Sequence, residues 1–124
     1  MAGLTTDGLS RSSKRIMAVD QKLDQLIYTA VENKHLLRFR YKGNERIVEP
    51  HDYGSQSGVV RLFCWQVGGQ SGNRIPGWRL FDVGGIRNCE MLDRHFAGNR
   101  EIPSGKHHRW DEVFIRVAPP SNSP

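Results

Sequence analysis

The sequence lacks most of the features that would assign it at a glance. It has only two cysteines, Cys64 and Cys89, and they stand without CxxC spacing. A disulfide framework is therefore not what organises the chain; two free thiols in a reducing cytoplasm are expected, with a single disulfide as the alternative. No run of 18 apolar residues occurs, so no helix is expected to span a membrane. The N-terminus has no apolar segment ahead of a small-residue cleavage site, so a cytoplasmic protein is expected. Neither a GxxxxGK nor a GxGxxG loop is present to cradle phosphates. Glu49, Asp52 and Asp82 form no recognisable catalytic set with His51. Cys89, His95, His107 and His108 match no zinc template, and adjacent histidines point in different directions on any regular element. The expectation is a protein without metal or cofactor that binds and does not catalyse.

Acidic residues are also in short supply. Lysine and arginine total 18 against 13 acids, giving a net charge of +5 and a pI near 9.6, a balance that favours an anionic partner. The excess is concentrated. Lys34 to Val48 carries Lys34, Arg38, Arg40, Lys42 and Arg46 against Glu45, and Tyr53 to Cys89 carries Arg61, Arg74, Arg79 and Arg87 against Asp82. The positive charge thus falls within predicted structure, not only in a tail.

At 124 residues one domain with a sizeable core is expected. Its centre is Gly58 to Val67, with seven apolar residues in ten and glycine-containing polar segments on both sides, the pattern of a buried strand between turns. Arg61 alternates with Val60 and Leu62, so it faces the other way; a solvated arginine on the wet side of a sheet is the ordinary reading of such a residue. Upstream, residues 1–12 read as a leader without periodicity. Leu23, Leu26, Ile27, Ala30 and Val31 then form one helical stripe, which Ile16 and Val19 extend back toward Ser13. Either Ser13 or Asp20 can begin this helix, and Asn33-Lys34 can end it in a left-handed turn. Strands are expected at His35–Tyr41, with Leu37, Phe39 and Tyr41 on one face, and at Arg46–Glu49, where Pro50 limits the ladder. Others are expected within Asn73–Val83, broken near Pro76-Gly77, and at Trp110–Val117, with Arg87–Phe96 either strand or short helix. Ala97 to Arg109 reads as a loop and 118–124 as a tail. One amphipathic helix and about five hairpin-spaced strands suggest a mainly β protein, a small antiparallel barrel in which closure removes the sheet edges. A bare edge and an apolar helix also make a homodimer an expectation.

The order of these pieces resembles the WYL domain, a bacterial regulatory module with an SH3/Sm-like barrel. The resemblance runs from Leu26 to about Leu92: a helix, Leu37-x-Phe39-x-Tyr41-x-Gly43, Arg46-Ile47-Val48-Glu49-Pro50, a strand ending in Leu62, and Trp78-Arg79-Leu80-Phe81-Asp82-Val83-x-x-Ile86. Val60-Arg61-Leu62 stands where Trp-Tyr-Leu is usual. The resemblance implies one WYL-like domain over 13–117, acting in ligand sensing, transcription regulation or phage defence, standing alone or as an accessory subunit, with single-stranded nucleic acid or a nucleotide-like anion as ligand. A protein-interaction or assembly barrel is the alternative. Arg46 and Arg79 match positions that are basic in the family, and Arg61 replaces its tyrosine. The candidate binding face is Arg40, Tyr41, Arg46, Arg61, Trp65, Arg74, Trp78 and Arg79, where guanidinium forks suit phosphates and aromatic rings stack bases. Tyr41, Trp65 and Trp78 can equally be core.

Overall fold

The stripe predicted for the helix is the one the protein buries. In the computed structural model, which describes residues 20–101 and 109–121, helix α1 spans Gln21–Asn33. Asp20 is its cap: the carboxylate accepts the Leu23 N–H at 3.0 Å, satisfying one donor the first turn would leave unpaired. The alternative start at Ser13 lies outside the described residues. Lys34 ends the helix in the left-handed region, φ 60°. Ile27, Ala30 and Val31 are fully buried, whereas Leu23 and Leu26 are only partly so.

Six strands follow: β1 (His35–Tyr41), β2 (Asn44–Gln56), β3 (Val59–Gly69), β4 (Gly77–Asp82), β5 (Arg87–His95) and β6 (Glu112–Arg116). A 3₁₀ turn, Val83–Gly85, joins β4 to β5. The fold is mainly β, with 54% of the described residues in strands, and has one antiparallel sheet in the order β4-β3-β2-β1-β5 and β6 added beside β2. Strands β4 and β5 do not pair with each other, so the sheet is open and not the closed ring of strands expected from the sequence.

The strand expected at Arg46–Glu49 does not stop at Pro50 but is part of the long β2, Asn44–Gln56. The proline is tolerated because β1 pairs with β2 only as far as Val48, and β6 takes over at Asp52. Its missing N–H falls in the gap between those two neighbours. On the β3 side the register slips between Pro50 and Asp52, leaving His51 in a bulge. Gly54 is needed where β6 joins, because a Cβ there would collide with the Glu112 carbonyl.

Strand β3 has the alternation read from its sequence: Val60, Leu62 and Cys64 are buried in the core, with Arg61 on the other side. Helix α1 covers the core side, where Tyr53 donates its hydroxyl to the buried Asp24 carboxylate at 2.6 Å. The ambiguous segment after Ile86 is strand β5. Strand β6 departs from simple alternation. A register slip between Tyr53 and Gly54 turns Val113 outward to 39% exposure while Val117 is buried. No helix in the described residues is long and apolar enough to cross a membrane.

Candidate anion site at one end of the sheet

The antiparallel order brings the ends of β1 and β3 together with the starts of β2, β4 and β5. Arg40, Tyr41, Arg46 and Arg79 all come to this end, and Lys42 and Arg87 join them. Arg40 stands directly across from Arg87 on β5, a like-charge cross-strand pair that is unfavourable by itself.

Arg46 is the unusual member. It is 8% exposed on the core-facing side, with its guanidinium 5.7 Å from the Tyr41 ring centre and 5.6 Å from that of Phe81. Its Nη1 donates to Gln66 Oε1 at 3.3 Å and its Nη2 to the Tyr41 carbonyl at 3.4 Å, both long. Its Nε has no partner. No carboxylate pairs with it among the described residues. Burial, and then the nearby charge of Arg79, lower its pKa from the usual arginine value. A buried cation with no counter-ion is costly unless something else compensates it.

The hydrogen-bond acceptors that Arg46 and Arg79 find among the described residues are all neutral. Gln66 is fully buried and spends both amide hydrogens on the Gly68 and Gln70 carbonyls, at 2.9 and 3.0 Å. Arg79 lies opposite Cys64, hence on the same side as Arg46, and donates to Ser71 Oγ at 3.1 Å and to the Trp78 and Arg74 carbonyls, each at 2.8 Å. Arg40 donates to the Gly43 carbonyl and Arg87 to the Gly84 and Ile86 carbonyls. Tyr41 packs edge-on against Phe81 and accepts the Asp82 N–H. Arg74 is exposed in the loop before β4.

Arg61, Trp65 and Trp78 lie on the opposite side of the sheet, as does Arg40 by alternation with Tyr41, so the eight residues do not form one face. Arg61 pairs with Asp82 at 2.8 Å and with Gln56 at 3.0 Å. Trp78 is stacked on Phe63, 4.7 Å between centres and 8° from parallel, with Trp65 and His51 edge-on to it. The Arg100 guanidinium lies 5.1 Å over Trp65. One face of each tryptophan is therefore already occupied. Alternation dictates this split: Trp65 and Trp78 are a cross-strand pair, and Gln66 and Arg79, one residue further along, point the other way.

Around Glu49 and Asp52 this second face is charge-balanced. Glu49, 6% exposed, receives both Arg100 Nε at 2.7 Å and Nη2 at 3.1 Å, and Asp52, 3% exposed, receives Arg116 Nε at 3.0 Å. His51 has both ring nitrogens engaged, Nδ1 at 2.9 Å from the Glu49 carbonyl and Nε2 accepting the Arg100 N–H at 3.1 Å. Burial lowers its pKa. Sequence reasoning missed Gln66, Lys42 and Arg87 as neighbours of the candidate site. A lone uncharged polar residue in the apolar run Val59 to Val67 was the available signal for Gln66.

Cys64 and Cys89 are free thiols. Burial pushes Cys89 up to about 12 and Cys64 well above its usual value, so neither is a ready nucleophile. Among the described residues no three His, Cys, Asp or Glu side chains gather as a metal site. Comparisons with family models, with curated proteins and with solved structures return no match.

Proposed function

We propose that the protein is an anion-binding regulatory module, WYL-like in organisation, whose ligand is single-stranded nucleic acid or a nucleotide held at the Arg46 end of the sheet. The observation that carries this reading is the buried, uncompensated guanidinium of Arg46 beside a second arginine. An anion that reaches this pair supplies the missing counter-charge, and Arg40, Lys42, Arg74 and Arg87 on the rim draw it in. The strand order and the 3₁₀ turn between β4 and β5 support an SH3/Sm-like arrangement. The role is binding and not catalysis, since His51, with both nitrogens engaged, is not poised as a base.

The test is a fluorescence-anisotropy titration with a labelled single strand at two salt concentrations. Counterion release predicts a log–log salt slope of about −0.7 per phosphate neutralised, flattened by Arg46→Met or Arg79→Ala. No salt-sensitive signal at tens of micromolar protein overturns the nucleic-acid reading; a thermal-shift screen with mononucleotides then tests the small-ligand form. The outer edges of β4 and β5, unpaired among the described residues, favour a second reading, an assembly module that pairs edge to edge. Light scattering that finds only the 14.1 kDa chain at tens of micromolar removes self-association.

A further inference from the structure

We propose that His35 and His95 form a two-histidine site for a divalent transition-metal ion. The pair arises where β5 leaves its regular ladder. His35 is paired with His95 and Leu37 with Met91, so β5 uses two more residues than β1 over the same stretch. This bulge carries the Leu92 carbonyl to 2.8 Å from His35 Nδ1. A carbonyl only accepts, so Nδ1 carries a proton, and in the neutral ring the lone pair is therefore on Nε2. Metal-binding histidines are commonly set in this way, with the far nitrogen donating to a backbone carbonyl, and bulges commonly re-aim side chains at sites.

His95 is exposed and has no hydrogen-bond partner among the described residues. Its ring centre lies 4.0 Å from that of His35, with the planes tilted by 45°. An ion bound by two imidazoles lies about 2 Å from each nitrogen, which sets the nitrogens roughly 3 Å apart; rings already in contact reach this by a side-chain rotation. Two neutral nitrogen ligands suit Cu²⁺, Ni²⁺ and Zn²⁺ and give Mg²⁺ and Ca²⁺ nothing to hold. Water or an added ligand completes the shell. Bound metal ties the start of β1 to the end of β5, beside Lys34, whose ammonium already holds the Ala97 and Pro119 carbonyls.

The test is calorimetric titration of the full chain, freed of metal with a chelator, with Cu²⁺, Ni²⁺, Zn²⁺ and Mg²⁺ in a non-coordinating buffer. One ion per chain is expected, tightest for Cu²⁺, with no Mg²⁺ heat. His35→Ala and His95→Ala are each expected to weaken binding about tenfold or more, while His107→Ala/His108→Ala leaves it unchanged. His95→Gln, at an exposed position, keeps the test valid if His35→Ala does not fold. Ni²⁺ should also broaden the His35 and His95 ring resonances first. Absence of binding overturns the proposal, as does binding that survives at both positions or that disappears only with His107 and His108.

Discussion

The two sides of the sheet treat arginine in opposite ways. On the side of Glu49 and Asp52, buried carboxylates each hold an arginine from the C-terminal third, and Arg61 has Asp82. On the core-facing side, Arg46 is more buried than any of those arginines and has no acidic partner among the described residues. Balanced pairs of this kind are what a fold needs to bury carboxylates, so that side is explained by packing. The unbalanced side is not, and a buried group left uncompensated by the fold is a functional candidate.

The largest effect expected from breaking this contrast is on the balanced side. Arg100→Ala strands the Glu49 carboxylate and should lower stability by about 2 kcal/mol, toward the low end for a buried pair because Arg100 is half exposed. Urea denaturation of the two proteins measures it. The mirror experiment is Arg46→Met, which replaces the buried cation with a side chain of similar length. Oligonucleotide affinity should fall about tenfold or more, 1.4 kcal/mol. Unliganded stability should stay level or rise by up to about 1 kcal/mol. A large loss of stability would show that the fold itself depends on this guanidinium.

Acidification probes the balanced side again. The folded protein lowers the pKa of His51 below the 6.5 of the free side chain, so below about 6.5 the unfolded chain binds a proton that the folded one refuses. Stability is therefore complete above that pH and declines as pH falls beneath it toward the folded pKa. Thermal melts between about pH 7.5 and pH 5 should show the decline, shallower in His51→Gln. The smallest effect is expected from Arg61→Ala. Its partner Asp82 is half exposed, so the loss should be within about 0.5 kcal/mol and oligonucleotide affinity should barely change. A loss as large as that of Arg46→Met would place the binding surface on the other side of the sheet.

Much of this was legible in the chain itself. The α1 stripe, the Lys34 stop, the buried β3 and the faces of β1 follow from local periodicity, which the core then buries as written. The basic character of the candidate site was legible too, since Arg46 and Arg79 were both expected there. What the sequence did not reveal was the division into two sides. That depends on registers such as Trp65 against Trp78 and Cys64 against Arg79, and a shift of one residue in either strand would have reversed it.

By itself, then, the sequence determined the helix, most strands and the sign of the charge, because each is set by neighbours a few residues away. Only the tertiary structure decided which arginines meet acids. Arg100 reaches Glu49 across 51 residues and Arg116 reaches Asp52 across 64, whereas no acid among the described residues is brought to pair with Arg46. Whether a charge is compensated is a property of the space around it, and no local pattern encodes that.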